Sequence, residues 1–351
     1  MDKEIIAFSE AYKTNRTILK DVLPIDIPMC LSIEPTNICN FKCVMCFQGT
    51  EKYMNIGAPF QNMTMECFNK IIEDLKNWTE NTYKIKIVKL YSTGEPLVNR
   101  EICEMVKKIK EANVCEKIEI TTNGSLLTSD MAEKIVDYGL DYLRISVYSV
   151  KDENNKRITK SEVSPLEIWN NVKYIREYRD SKGKKLPYIS AKMIDTYSEE
   201  NIIFQNMYKD VADEAYIDKA MNLSTGESTT EKLYGEREAE AIKDINESRI
   251  FKNKIKACRY PFTHMTIRSD GSVVVCCSDW LLDTKYGDVN KNSLQEIWES
   301  KELYEFRKMT LLTKGKGCKA CKNCELPLRD FPEDDIDDFP IKKLKYRGME
   351  E

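Results

Sequence analysis

Residues 29–220 alternate short apolar runs with longer stretches in which apolar positions recur every three or four residues. Short runs of this kind predict buried strands, and the longer periodic stretches predict amphipathic helices. The predicted strands are residues 29–34, 84–92, 117–122, 142–149, 188–194 and 213–219. Strands that alternate with helices favour βα units around a parallel sheet. Six such units predict an α/β fold with a partial (β/α)6 TIM-like barrel.

The pattern changes after this region. Residues 221–257 are polar and are expected to form a linker with a cap helix. Two short apolar runs then flank Asp270-Gly271, a dipeptide that suits a tight turn and therefore predicts a β-hairpin. Ser293 and Glu296 form a capping box, which predicts the start of a helix that continues to about residue 312. The acidic and then basic tail from residue 329 is expected on the surface, in part disordered.

These changes divide the chain into an N-terminal extension, a barrel, a linker, a small C-terminal domain and a tail. The expected boundaries are 1–28, 29–220, 221–257, 258–328 and 329–351. A net charge of −4 gives no basic field that would attract nucleic acid or an anionic membrane. No apolar run is long enough to cross a bilayer, and the first residues lack a secretory signal pattern. A cytoplasmic protein is expected.

The chain has 13 cysteines, which are grouped rather than scattered. In a reducing compartment, grouped cysteines more often bind metal or take part in catalysis than form disulfides. The first group is Cys39, Cys43 and Cys46, directly after the first predicted strand. Three thiolates can hold three irons of a 4Fe–4S cluster and leave the fourth iron open for another ligand. A zinc knuckle is the alternative, but zinc needs a fourth ligand and this loop offers none.

The three-cysteine motif, its place after the first strand and the six βα units resemble the radical SAM superfamily. The resemblance implies that the open iron binds S-adenosylmethionine. Reduction of the cluster then cleaves this cofactor to a 5′-deoxyadenosyl radical, which abstracts a hydrogen atom from the substrate. It also implies an external electron donor such as flavodoxin or ferredoxin.

The same resemblance implies residues that contact the cofactor. Gly94 and Glu95 match the segment that binds the methionine amino group, with Thr93 in place of a preceding glycine. Asn123 and Ser146 follow or lie in later strands where the family contacts the cofactor. Met45 occupies the position before the last cysteine, which faces the adenine.

The second group of cysteines resembles the SPASM/twitch extension of radical SAM enzymes, which holds auxiliary iron–sulfur clusters. One auxiliary 4Fe–4S cluster is expected, bound by Cys258 and Cys276 plus two of Cys318, Cys321 and Cys324. A structural zinc site is the alternative. Cys277 is expected to face away from Cys276, because neighbours on a strand alternate. The remaining cysteines are expected in the core, although Cys30 or Cys277 could donate a hydrogen atom to a substrate radical.

Three functions stay open at this point. The first is a net oxidation of a small polar substrate such as a sugar, aminocyclitol or nucleotide-sugar, with the auxiliary cluster as electron acceptor. The second is modification of a peptide by crosslinking, epimerisation or oxidation of a residue. The third is a non-catalytic binding module stapled by metal. Tyr148 and Lys192 are the candidates for contact with the substrate, and a buried Lys192 could act as a base.

Overall fold

In the computed structural model, residues 16–80, 82–220, 229–235, 255–322 and 324–349 are described. Within these residues, nine strands form one sheet in the order β6-β5-β4-β3-β2-β1-β7-β8-β9. The strands β1 to β9 are Cys30–Ile33, Ile85–Leu90, Cys115–Thr122, Tyr142–Val147, Tyr188–Ile194, Glu214–Asp218, His264–Ile267, Ser272–Val274 and Lys285–Asp288. All neighbours from β6 to β7 pair in parallel, and β8 and β9 are antiparallel. The predicted partial barrel is therefore confirmed, and the predicted hairpin extends its sheet.

Helices connect the parallel strands. The described helices α1 to α12 are Leu19–Val22, Glu51–Met54, Met65–Glu80, Ile102–Ala112, Ser129–Asp137, Asp152–Thr159, Pro165–Ser181, Glu200–Tyr208, Thr229–Tyr234, Tyr260–Thr263, Leu294–Trp298 and Lys301–Thr313. Of these, α3, α4, α5, α7 and α8 lie between successive parallel strands, as the βα alternation predicts. The short helix α6, which precedes α7, was not predicted from the sequence.

The two faces of the sheet differ in chemistry. Leu31, Val88, Ile118 and Leu143 are fully buried in the main hydrophobic core, which the sheet shares with the connecting helices. Because side chains alternate along a strand, the residues between them point to the concave face. That face carries polar side chains, such as Lys89 and Glu119, which are register partners on β2 and β3. We call this concave face the lumen of the barrel.

The helix predicted from Ser293 to about residue 312 is two helices, so that prediction is wrong in its length. The capping box at Ser293 and Glu296 is confirmed at the start of α11. The break occurs because Ser300 adopts an extended backbone, and its side chain accepts a hydrogen bond from the Leu303 amide. Ser300 is thus the N-cap of α12, and its hydroxyl accepts a hydrogen bond from one of the free amides at the start of that helix.

The tail is packed rather than disordered, in contrast to the prediction. Ile336, Phe339 and Leu344 are buried in a second hydrophobic cluster together with Leu19 and Leu23 near the start of the described chain. An ion pair between Arg16 and Asp334 joins the same two segments. The apolar residues of the tail therefore pack against the first described segment of the chain, which the charge composition of the tail does not predict.

The predicted linker at 221–257 is described only in part. Helix α9 lies in it, and the rest of the helical stretch predicted there lies outside the described residues, as do residues 1–15 of the N-terminal extension. In the parts of the chain that the structure describes, none of the helices is both long and apolar enough to cross a membrane.

Candidate active site and auxiliary metal centre

The first cysteine motif lies in a loop that begins after β1. The amides of Lys42 and Val44 donate hydrogen bonds of 3.0 and 2.8 Å to backbone carbonyls at the end of α6. The Cys46 amide donates to the carbonyl of Cys43 over 2.9 Å, which forms a turn between these two cysteines. The loop is therefore fixed both internally and against the barrel.

The three cysteines of this loop lie close to one another, with Cys43 buried and Cys39 and Cys46 half-buried. Burial raises the pKa of Cys39 to about 11 and also raises the pKa values of Cys43 and Cys46. The pKa of Cys43 is raised further by Cys39 and Cys46, because a second negative charge nearby disfavours a thiolate. A bound metal stabilises thiolates that burial alone would keep protonated. Three adjacent thiols thus fit an iron–sulfur cluster, although no three Cys, His, Asp or Glu side chains among the described residues form a ready site for a single ion.

Gly94 lies directly against this loop. A Cβ atom at this position would come within 2.3 Å of the Thr36 carbonyl oxygen and 2.6 Å of the Ile38 carbonyl oxygen. The next amide, that of Glu95, donates a 2.9 Å hydrogen bond to the same Ile38 oxygen. Only glycine permits this approach, so the segment predicted to bind the methionine amino group is built onto the cysteine loop.

The Glu95 carboxylate joins the segment after β2 to the end of β3. One carboxylate oxygen accepts hydrogen bonds from the Leu97 amide and, over 2.6 Å, from the Thr122 hydroxyl. The other accepts from the Asn123 amide over 2.7 Å. Burial raises the pKa of this carboxyl to about 7, against these bonds, which lower it. A carboxylate has lone pairs for about four hydrogen bonds, so Glu95 keeps capacity for one more donor.

Asn123 is the second predicted cofactor residue that the structure brings to this loop. Its side-chain amide donates a 2.9 Å hydrogen bond to the Asn40 side chain, next to Cys39. Its backbone amide is the one that Glu95 holds. The loop, the end of β2 and the end of β3 therefore form one hydrogen-bonded unit.

Met45 and Tyr148 also lie beside the cysteine loop. Met45 packs with Tyr148 and Ile194 against a small apolar cluster that includes Leu233 of α9. The Tyr148 ring makes an edge contact with Phe41 at 6.4 Å. Tyr148 also lies close enough to the Cys43 thiol to lower its pKa. Its place beside a predicted cluster ligand favours a supporting role at the cluster rather than contact with the substrate.

Ser146 and Lys192 are register partners on β4 and β5. The Lys192 ammonium lies 3.3 Å from a carboxylate oxygen of Asp218, and a quarter of its side chain is exposed. Lys192 therefore faces the lumen one strand away from Ser146, as the alternation of side chains predicts. Its partner Asp218 was not anticipated from the sequence.

A second polar cluster lies in the lumen, on β2, β3 and β4. The Tyr91 hydroxyl donates a 2.9 Å hydrogen bond to Glu119, and Arg144 donates to the Tyr91 oxygen over 3.2 Å. Arg144 also lies 3.6 Å from Glu119, whose side chain is fully buried. Sequence reasoning missed these three residues. Charged residues at alternate positions of otherwise apolar strands are the signal that could have found them.

The second cysteine group surrounds a cavity of about 460 Å³. Cys258, Cys276, Cys321 and Cys324 line this cavity, whereas Cys318 is not among its lining residues. The pKa of Cys276 is raised by its neighbour Cys277, by burial, and by the nearby Cys258 and Cys324 thiols. Four converging thiols fit a 4Fe–4S cluster, which takes four thiolates. Cys321 and Cys324 thus line the cavity together with Cys258 and Cys276, and Cys318 lies beside Cys321.

Cys276 lines the cavity and Cys277 does not, which agrees with the expected difference in direction, but strand alternation is not its cause. Strand β8 ends at Val274, and the alternation of side chains does not extend to the two cysteines. The neighbouring Cys276 thiol lowers the pKa of Cys277 to about 6. Cys277 lies close enough to Cys30 to raise the pKa of that thiol, and Lys89 lies close enough to Cys277 to lower its pKa. The auxiliary cysteines therefore adjoin the lumen.

The other cysteines and the histidine have structural positions. Cys67 and Cys103 are buried in the main core, and Cys115 packs against it, as expected. The His264 ring stacks on Tyr260 at 4.1 Å, and its Nδ1 lies 2.8 Å from the Thr263 hydroxyl. Burial lowers the pKa of His264 well below its usual value, so it is a neutral histidine with satisfied contacts.

Family models match two parts of the chain. Residues 33–184 match the radical SAM superfamily, and residues 258–325 match SPASM, an iron–sulfur cluster-binding domain. The tungsten-containing aldehyde ferredoxin oxidoreductase cofactor-modifying protein of Pyrococcus furiosus is 22% identical over 326 residues, 84% of this chain and 87% of that protein. A probable GTP 3′,8-cyclase of Methanocaldococcus jannaschii is 34% identical over 130 residues, 37% of this chain and 40% of that protein.

Solved structures share the fold. Streptococcus suis SuiB bound to S-adenosylmethionine has a TM-score of 0.61 and 18% identity, over 91% of this chain and 78% of that one. SuiB has also been solved with its precursor peptide SuiA. BtrN in complex with AdoMet and 2-DOIA has a TM-score of 0.53 and 13% identity, over 91% of this chain and 98% of that one. At such identities these matches show the fold alone.

The matched domains and the fold agree with the two cysteine groups and their positions. The chain is an enzyme, which excludes the alternative of a non-catalytic binding module. It belongs to the radical SAM superfamily and carries a C-terminal SPASM domain, a combination that uses a 4Fe–4S cluster for S-adenosylmethionine together with auxiliary iron–sulfur binding.

Proposed function

We propose that this enzyme oxidises a small polar substrate in the lumen by two electrons. A sugar, an aminocyclitol or a nucleotide-sugar fits this class. The observation that carries the proposal is the position of the auxiliary cysteines. Cys277 is the chain neighbour of the cavity-lining Cys276, and it lies close enough to Lys89 in the lumen for that ammonium group to lower its pKa. An electron acceptor in the cavity would therefore adjoin a substrate held in the lumen.

The proposal assigns cluster ligands. Cys39, Cys43 and Cys46 hold the cluster that binds S-adenosylmethionine, and Cys258, Cys276, Cys321 and Cys324 hold the auxiliary cluster. When bound, the first cluster and S-adenosylmethionine supply the hydrogen-abstracting 5′-deoxyadenosyl radical, and the auxiliary cluster supplies an electron acceptor. An external one-electron donor such as flavodoxin or ferredoxin provides the reducing electron.

The remaining residues bind and orient the cofactor and the substrate. Glu95 has capacity for the ammonium group of S-adenosylmethionine, while Asn123 holds Glu95 and the loop in register. Ser146 and Lys192 lie side by side on the strands that face the lumen. The cations and carboxylates of the lumen suit a substrate rich in hydroxyl, amino or phosphate groups, because such groups satisfy buried charges with hydrogen bonds.

A peptide substrate is the second candidate. The fold that this chain shares over 91% of its length with SuiB, which has been solved with a precursor peptide, favours it. The two candidate substrates, a small polar molecule and a peptide, differ in the surface of the protein that they would contact. A small polar molecule would contact the Tyr91, Glu119 and Arg144 cluster deep in the lumen, whereas a peptide would also need a surface outside it.

The test is an iron count on anaerobically reconstituted protein. We expect about eight irons in the wild type and about four in the triple alanine variant at Cys39, Cys43 and Cys46. Cys321→Ala is expected to lose iron from the auxiliary centre, whereas the matched Cys318→Ala variant keeps it. Wild-type protein with about four irons and one zinc would remove the auxiliary electron acceptor and contradict the proposed oxidation.

A further inference from the structure

Arg268 lies in the SPASM region of the sequence, but its side chain contacts residues of the radical SAM barrel. It follows β7, which pairs in parallel with β1. Its guanidinium nitrogen Nε lies 3.4 Å from a carboxylate oxygen of Glu34, the residue after β1. The side chains are 4% and 0% exposed. This ion pair is therefore buried where the hairpin meets the barrel.

The pair surrounds Thr93. Glu34 accepts hydrogen bonds from the Thr93 amide over 3.1 Å and from its hydroxyl over 2.6 Å. Arg268 donates to the same hydroxyl oxygen over 3.1 Å, and Tyr53 donates to it over 3.0 Å. A hydroxyl can donate one hydrogen bond and accept two, so that of Thr93 is fully used. Thr93 thus has a single favoured position.

Thr93 is the residue before Gly94 and Glu95. The Thr93 carbonyl accepts a 2.7 Å hydrogen bond from the buried Gln48 side chain of the cysteine loop. Gly94 packs closely against that loop, because even a Cβ atom at this position would come within 2.6 Å of two of its carbonyl oxygens. A displacement of Thr93 would therefore move the Glu95 carboxylate away from its position.

We infer that Arg268 is a positioning residue for S-adenosylmethionine, through which the SPASM hairpin holds the Thr93-Gly94-Glu95 segment in place by way of Glu34. The inference rests on the proposed role of this segment in cofactor binding. A buried ion pair adds little net stability compared with apolar residues, but the loss of one partner leaves an uncompensated charge. Without Arg268, the Glu34 carboxylate must move or take up a proton, and Thr93 loses the hydrogen bond that Arg268 donates to its hydroxyl.

The test compares the affinity for S-adenosylmethionine with iron content and stability. Arg268→Met is expected to weaken binding, measured by equilibrium dialysis on the reconstituted protein, by about tenfold, a usual size for coupling between sites. The electron paramagnetic resonance change on cofactor addition should be reduced in parallel. Arg179→Met is the matched control. Arg179 is also buried and ion-paired, but its partner Asp213 precedes β6 at the far edge of the sheet, so its loss is expected to leave affinity unchanged.

A second variant separates positioning from folding. Arg268 also donates to the Ser92 hydroxyl over 3.4 Å. Arg268→Lys keeps the charge but cannot contact Glu34 and the Ser92 and Thr93 hydroxyls at once, because lysine lacks the planar fork of arginine. We expect normal iron content with weakened binding. Wild-type affinity in Arg268→Lys, or in a folded Arg268→Met, would overturn the inference. The double variant Glu34→Gln/Arg268→Met removes both charges and is expected to recover part of the affinity.

The Glu95→Ala variant distinguishes the two levels of the argument. Weak binding in Glu95→Ala together with normal binding in the Arg268 variants would overturn the inference alone. Normal binding in Glu95→Ala would instead contradict the proposed cofactor site.

Discussion

At the scale of single residues, the candidate site depends on close approach rather than on exposed reactive groups. Gly94 lies against two carbonyl oxygens of the cysteine loop. Glu95 uses its carboxylate to join the ends of β2 and β3. The sequence identified both residues through a motif. It could not identify Glu34 and Arg268 as partners, because a contact between residues this distant along the chain arises from the parallel pairing of β1 with β7.

Gly94→Ala is expected to abolish binding of S-adenosylmethionine. The new Cβ atom would overlap backbone oxygens at 2.3 and 2.6 Å, so the loop or the segment must move. Gly49→Ala is the control within the same loop, since its Cβ would meet its nearest atom at 3.4 Å. Binding by equilibrium dialysis should be lost in the first variant and retained in the second. Retained binding in Gly94→Ala would mean that the cofactor does not need this segment.

The raised pKa of Glu95 predicts a pH dependence of stability. A carboxyl with a folded-state pKa of about 7 and an ordinary value of 4.5 favours folding when protonated. Its contribution is therefore present at low pH and is lost as the pH rises from about 4.5 to about 7. In urea unfolding of the metal-free protein, stability should fall across this range relative to Glu95→Gln. Parallel pH profiles for the two proteins would show that the Glu95 pKa is not raised.

At the scale of elements, hydrophobic periodicity predicted the barrel strands, because the local sequence pattern determines where they begin and end. Strand β5 was predicted at its observed bounds, and the other five barrel strands within a few residues. The predictions were less successful where a side chain decides an end. Ser300 interrupts a continuous helical pattern because its hydroxyl caps a new helix. A serine within a charged stretch gives no signal in the sequence that a helix ends there. Strand β9 was also missed, because its stability comes from pairing with β8 rather than from its own residues.

At the scale of the whole molecule, the two described ends of the chain pack together beside Cys258, a proposed ligand of the auxiliary cluster. The buried cluster of Leu19, Ile336 and Phe339 also contains Ala257, the residue before Cys258. Arg259, on the other side of Cys258, donates a 2.9 Å hydrogen bond to Asp330 of the tail. The tail therefore supports the first ligand of the proposed auxiliary cluster from both sides, which its charged composition did not predict.

Ile336→Ala tests this support. Ile336 is 1% exposed in the cluster, and removal of a buried isoleucine side chain costs about 2 to 5 kcal/mol. Ile202→Ala is the matched control, because Ile202 is 63% exposed on α8 and its loss should cost less than about 0.5 kcal/mol. Urea unfolding of both variants measures the difference, and iron content shows whether the auxiliary centre weakens with the tail. Equal stability of the two variants would mean that the tail does not stabilise the fold. A clear loss of stability in Ile336→Ala with a selective loss of auxiliary iron would show that the tail supports folding and metal binding together, because one cluster of side chains holds both the tail and the segment that carries Cys258.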